Sequence, residues 1–222
     1  MAAGDIEHFI SEKLVLTPVP GLPEISLYTT HPASGVGRLS NRSGRPPYWA
    51  YRWAGGMALA HYFAELPSSV RGLTVLDLGA GSGLVGIAAA QAGAATVIAA
   101  DIDPNAAAAI ALNAAANGVV LHFQEGDMTI SEPPQVDLVA VGDLFYDAEL
   151  ARTVLRFLDR CLARAIRVLI GDPGRAHLPR PRLLPMAEYY VSDVGFTPAT
   201  PPLPAWVFAL QPIAPGQEIP SR

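Results

Sequence analysis

From residue 74 onward the chain alternates short β-type runs with helical runs. The first junction, TVLDLGAGSGLVGIAAAQAG, constrains the fold most. TVLDLG (74–79) reads as a strand and GLVGIAAAQAG as the helix after it, joined by a turn of closely spaced glycines. Repeated strand–helix units of this kind build a parallel sheet with crossover helices. ATVIAAD (95–101) is the second strand. Asp103 and Pro104 then open a helix, NAAAAIALNAAANG, that stops at Gly118. VVLHFQEGD is a third strand, QVDLVAVGD a fourth, residues 147–163 a helix and AIRVLIGD a fifth strand. LPRPRLLPMA reads as a turn and short helix. EYYVSDV and AWVFALQ read as two final strands joined by the Pro-rich GFTPATPPLP. The expected fold class is therefore α/β: an open seven-stranded sheet, mostly parallel, with one antiparallel strand and helices on both faces.

Residues 1–66 lack this rhythm and read as an N-terminal extension packing on a core of residues 67–222, the whole forming one structural domain. Within the extension, residues 5–13 look helical, EISLYTT suits an edge strand and GVGRLSNRSGRPP a flexible loop. Residues 48–66 read as a helix with Trp49, Trp53, Gly56, Ala60 and Phe63 on one face, positioned to cover a ligand.

Ligands of such sheets bind outside the carboxyl ends of the strands. Asp77, Asp101, Asp127, Asp143 and Asp172 each stand at or just after one of five strands. The glycine turn fits two registers. Gly81, Gly83 and Gly86 satisfy GxGxxG, with Asp101 20 residues beyond Gly81, as a dinucleotide site requires. Gly79, Gly81 and Gly83, preceded by Asp77, instead resemble the DxGxGxG turn of S-adenosylmethionine-dependent methyltransferases. Asp77 decides between them. An unpaired carboxylate repels a pyrophosphate, whereas it gains a charge-assisted hydrogen bond from the α-ammonium of S-adenosylmethionine. Asp101 suits a ribose diol in either case. Asp127 and Met128 suit an adenine, the carboxylate accepting from the exocyclic amine and the thioether packing on the ring.

Composition narrows the partners. Net charge is −5 with 16% charged residues, so the chain lacks the basic footprint of a general nucleic-acid binder. The single cysteine, Cys161, excludes an internal disulfide, and the five histidines show no metal-ligand spacing, so no metal is expected. MAAGDIEHFISEKL carries Asp5, Glu7 and Glu12 where a leader would be basic and then apolar, which points to the cytoplasm. Residues 83–100 are uncharged for 18 positions, but Gly93 divides them into a helix and a β-rich run, so no membrane span is expected.

The fourth strand ends in GDLFYD, where Asp143 and Tyr146 have DxxY spacing. Together with YWAYRWAGGMALAHYF, LDLGAGSGLVG and IGDPGRAHLP, over about Pro23 to Phe208, this motif makes the chain resemble the class I, seven-strand protein lysine methyltransferases of the DxxY family. Within that family it resembles the branch that methylates the β subunit of electron transfer flavoprotein. The resemblance implies a Rossmann-like fold, S-adenosylmethionine as cofactor, a protein-lysine substrate and S-adenosylhomocysteine as product. It places the residue matching Trp53 beside the cofactor, and the Asp and Tyr matching Asp143 and Tyr146 around the lysine channel. The alternatives within this fold are a ribosomal-protein or small-amine methyltransferase. The ribosomal L11 enzymes are a more distant likeness, with an Asn-Pro type motif at the fourth strand that this chain lacks. A nicotinamide-dependent oxidoreductase is the alternative outside methyl transfer.

Two sets of arginines concern partners. Arg152, Arg156, Arg160 and Arg164 form a stripe along one helix and read as a solvated face. Arg175, Arg180 and Arg182 follow the fifth strand on the ligand side and suit an acidic protein surface.

Overall fold

A computed structural model describes residues 3–39, 46–193 and 201–213. Its main sheet has seven strands: β3 (Thr74–Leu78), β4 (Thr96–Asp101), β5 (His122–Glu125), β6 (Leu138–Gly142), β7 (Arg167–Asp172), β8 (Leu183–Val191) and β9 (Leu203–Leu210). Their order is β5-β4-β3-β6-β7-β9-β8, and β9 runs antiparallel to both neighbours while the remaining pairs are parallel. Chain order reverses between β3 and β6, which places the switch point beside the glycine turn.

The period-2 alternation of the strands divides the interior into two apolar layers. Val75, Val97, Leu138, Ala140 and Leu169 face α2 (Ala54–Glu65) and α3 (Leu84–Gln91). Leu76, Val139, Val141, Val168 and Ile170 face α5 (Ala148–Ala163). The latter helix buries Ala151, Val154, Phe157, Leu158 and Cys161 along one stripe, and Asp147 caps it by accepting from the N–H groups of Glu149 and Leu150. A third cluster joins α1 (Ala3–Lys13) to α4 (Ala106–Ala116) through Ile6, Ile10, Trp49 and Ile110. Among the described residues no helix is long and apolar enough to cross a membrane; residues 83–100 divide into α3 and β4.

Four local expectations change. EISLYTT does not join the main sheet: β2 (Leu22–Thr29) pairs with β1 (Val15–Val19) in a separate hairpin across Pro20 and Gly21, the latter at φ +79°. The hairpin docks on α4 through side-chain amides, Asn117 Oδ1 and Asn113 Oδ1 accepting from Ser26 N–H and Tyr28 N–H. These amides satisfy backbone donors that a neighbouring strand would otherwise take. Second, the helix expected from Tyr48 begins at Ala54; Tyr48–Ala50 is a 3₁₀ turn, and Tyr51 and Trp53 are extended. The break sends Trp49 into the α1/α4 cluster and leaves Trp53 at the cavity. Third, LPRPRLLPMA forms only a 3₁₀ turn at Arg180–Arg182, because Leu183 onward is already β8. Pro185 is tolerated there since β8 is an edge strand with a register shift between Pro185 and Ala187. Fourth, the third strand spans only His122–Glu125 of the longer VVLHFQEGD run. Residues 40–45 of the expected loop and 194–200 of the Pro-rich connection lie outside the described residues.

Candidate active site

A cavity of about 660 Å³ opens at the carboxyl edge of the sheet, lined from the ends of β3, β4, β6 and β7 and from the segment before α2. Gly79, Gly81 and Gly83 take φ of 73°, 53° and 81°, so each occupies the left-handed region. A Cβ on Gly79 would meet the Leu144 side chain at 2.9 Å. The turn is pinned from β4: Gly79 and Ala80 donate to Ala100 O, and Gly81 N–H donates to Asp101 Oδ2 at 2.8 Å.

Asp77 is buried at 1% exposure and lines this cavity. Its Oδ2 accepts from Gly86 N–H at 2.9 Å, a contact that Gly86 permits by letting α3 come close to β3. Burial pushes its carboxyl up to about 7; the Gly86 bond opposes the rise and Asp101 adds repulsion. Asp101 is also raised by burial, and its Oδ1 accepts from Asp103 N–H. Asp127 Oδ1 accepts from the N–H and hydroxyl of Thr129, which sets Met128 on the cavity wall. The sequence-predicted residues Trp53, Asp77, Gly79, Gly81, Asp101, Asp127, Met128, Asp143 and Tyr146 all line this one cavity. Gly83 is displaced from the lining and serves instead as the residue before α3.

The other side of the cavity is aromatic. Tyr48, Trp53 and Tyr146 come from two segments, with ring centroids 5.6 Å apart for Tyr48–Trp53 and 6.1 Å for Tyr48–Tyr146. Tyr146 is 48% exposed and Tyr48 40%, so they form the rim, while the Trp53 indole N–H donates to Tyr48 O. Tyr48, the first residue of the YWAYRWAGGMALAHYF segment, owes its place at the cavity to the break before α2.

Asp143 does not present a free carboxylate to this aromatic frame. It is 6% exposed, Oδ2 accepts from Gly55 N–H at 2.5 Å and Gly56 N–H at 3.1 Å, and Oδ1 accepts from Arg175 Nε at 2.9 Å and Nη2 at 2.5 Å. The residue sits at φ +58°, a conformation held by these four bonds. Burial raises its carboxyl to about 6 against the lowering effect of Arg175, with Asp172 and Asp193 raising it further. Asp193 Oδ1 accepts from Ala54 N–H at 3.2 Å, so two distant carboxylates satisfy the first three donors of α2 and meet its positive end. The close approach needs glycine: a Cβ on Gly55 would stand 2.1 Å from Gly171 O.

The three loop arginines are likewise engaged. Arg175 stacks over Trp53 at 5.7 Å, Arg182 pairs with Asp159 at 2.6 Å and donates to Gln211 O, and Arg180 donates to Gly174 O. On α5, Arg160 donates to Thr129 O and Arg164 to Pro133 O and Glu132, so half of the expected solvated stripe holds down residues 129–133 behind Asp127.

Comparison with known proteins agrees with this geometry. Residues 50–177 match the family described as lysine methyltransferase. The chain belongs to the lysine methyltransferase family. It is 40% identical over 193 residues to the electron transfer flavoprotein β subunit lysine methyltransferase of Xenopus laevis, covering 83% of this chain and 78% of that protein. The human protein of the same name is 40% identical over 176 residues, covering 77% of this chain and 67% of its own. In fold, the chain matches the magnesium protoporphyrin IX methyltransferase of Synechocystis at a TM-score of 0.52 and 19% identity, covering 70% of this chain and 79% of that one. As a lysine methyltransferase, the chain has its DxxY segment, Asp143 to Tyr146, inside the matched region, together with the glycine turn and Arg175.

Proposed function

We propose that this enzyme uses S-adenosylmethionine to methylate a lysine of the electron transfer flavoprotein β subunit. The observation carrying this reading is the division of one cavity into an acidic half around Asp77 and Asp101 and an aromatic half of Tyr48, Trp53 and Tyr146. Among the described lining residues Arg175 is the single cation, and it is already paired with Asp143. Such a wall repels a pyrophosphate and suits a cofactor bearing a sulfonium and an α-ammonium.

The residues present fit that cofactor. Asp77 Oδ1 carries no protein hydrogen bond among the described residues and would accept from the α-ammonium. Asp101 would accept from the ribose hydroxyls, and Asp127 with Met128 would hold the adenine. Gly79 and Gly81 would let the methionine portion pass close to the backbone, with Gly83 setting the entry into α3. When bound, the cofactor supplies an electrophilic methyl group. The chain must then hold a neutral amine in line with it, about 3 to 3.5 Å away. Tyr48, Trp53 and Tyr146 form a narrow wall for the aliphatic stem, and their ring faces favour the cationic amine on arrival. Asp143 acts here through its bonds: it fixes the start of α2, and hence Trp53, and it holds Arg175 against the indole.

The names of the relatives support the substrate. Incubation of the purified enzyme with S-adenosylmethionine and recombinant β subunit should add methyl-group masses to that subunit in intact-mass spectrometry, with the modified residue mapping to lysine. Methylation confined to a ribosomal protein or to small amines in a lysate would replace this substrate.

A further inference from the structure

At the far edge of the sheet, the α5 side of β8 and β9 carries aromatic residues beyond those packed into the α5 layer. Directly paired residues share a face, so the partners of β7 and β9 define it. Phe208 is opposite Ile170, which faces α5, and Trp206 is opposite Asp172. On the same face of β8, Pro185 opposes Phe208, Glu188 opposes Trp206 and Tyr190 opposes Pro204. Tyr190 is 69% exposed, while Pro204, Trp206 and Phe208 are half-buried. Among the described residues the chain between β7 and β8 forms only the 3₁₀ turn at Arg180–Arg182 and no α-helix to cover them.

This face reaches the cavity mouth. β7 ends at Asp172, whose partner is Trp206, so Leu203–Ala205 and the paired Tyr189–Val191 extend past the carboxyl edge by three residues, about 10 Å. A Cβ on Gly174 would lie 3.7 Å from Trp206 Cζ3, which puts the indole against the loop that carries Arg175. Just beyond β8, Asp193 accepts from Ala54 N–H at the start of α2. Trp206 therefore adjoins the loop of Arg175, which stacks over Trp53, and Tyr190 lies on the same face as Trp206.

We propose that Tyr190 and Trp206 form the docking surface for the protein substrate, seating an apolar side chain near the target lysine while that lysine enters between Tyr48, Trp53 and Tyr146. Glu188, on the same face, suits a basic residue in the docked segment. The proposal rests on the functional reading above and extends it to how a whole protein is held. Aromatic side chains at the centre of an interface carry a large share of its energy, and rings beside a cleft add area at little conformational cost.

The test uses the full-length enzyme and recombinant β subunit. Tyr190→Ser should raise KM for the subunit about tenfold, with kcat and S-adenosylhomocysteine affinity unchanged, as expected of a truncated interface aromatic. Tyr190→Phe should restore the wild-type KM. Val120→Ser, at an exposed apolar position before the opposite edge strand, should leave KM unchanged. An unchanged KM in Tyr190→Ser beside normal wild-type transfer overturns the docking surface alone. A change in oligomeric state by sedimentation, with KM unaltered, overturns it in favour of a second copy of this chain. No transfer to the subunit by the wild-type enzyme overturns the functional reading, and this occupant with it.

Discussion

The two halves of the cavity are built by opposite strategies. The glycine-turn half is local: Asp77, Gly79, Gly81 and Gly83 lie within one strand–turn–helix junction, and their main external support is Asp101 at the end of the adjacent strand. The aromatic half is assembled from distant pieces. Tyr48 and Trp53 precede α2, Tyr146 follows β6, and all are registered by Asp143, Arg175 and Asp193. The glycine-turn half can therefore form wherever a strand and helix meet correctly, whereas the aromatic half exists only when α2 sits on β6 and β7. Substitutions should divide accordingly: changes in the first alter ligand affinity, and changes in the second alter stability or turnover.

The largest effect is expected at the helix–sheet contact. Gly55→Ala would place a Cβ where only 2.1 Å separates it from Gly171 O, and backbone on both sides cannot move aside. Overpacking of this kind costs about 3 kcal/mol or more, so thermal unfolding should show a strongly lowered Tm or no folded protein. A wild-type Tm would show that α2 does not need the close seat.

Asp143→Ala comes next. It removes the acceptor of two of the three α2 donors and strands a half-buried guanidinium, for an expected loss of about 3 kcal/mol in denaturant titration. Asp143→Asn keeps the shape and should lose less. If Asp143→Ala unfolds like wild type yet loses methylation, the carboxylate acts on the amine directly and the positioning role is wrong.

Asp77→Ala should spare the fold and weaken S-adenosylhomocysteine binding by about ten- to a hundredfold, the value of one charge-assisted hydrogen bond. The pH dependence sharpens this. With its carboxyl raised to about 7, Asp77 is increasingly protonated below that pH, and an ammonium binds the carboxylate form preferentially. Affinity should therefore fall as pH drops from about 8 to 5.5, by up to about tenfold per unit below pH 7, and Asp77→Asn should abolish the slope. A flat calorimetric profile for the wild type would separate Asp77 from the ammonium.

The smallest effect belongs to the rim. Tyr146→Phe keeps the ring and should lower kcat/KM on the protein substrate only about two- to fivefold, while Tyr48→Ala, which opens the frame, should cost about tenfold. S-adenosylhomocysteine affinity should stay at the wild-type value in both. Loss of affinity instead would assign these rings to the glycine-turn half.

What the sequence determined by itself is what short-range chemistry encodes. The strand–helix alternation specified the seven-stranded sheet and its antiparallel strand, because side-chain period and turn residues are local properties. The glycine turn and the acids at the strand ends could be read for the same reason, and the DxxY spacing led to the family that the comparisons bear out. Only the tertiary structure decided the rest. The start of α2 at Ala54 was invisible because its caps, Asp143 and Asp193, lie 87 to 139 residues away in sequence. Tyr48 entered the site only because the chain is extended before that helix. The early start of β8, through a proline, depended on its edge position and its pairing with β9. In each of these cases a backbone group or carboxylate found its partner through three-dimensional packing, and the free energy that fixed it is not written in either partner's neighbourhood.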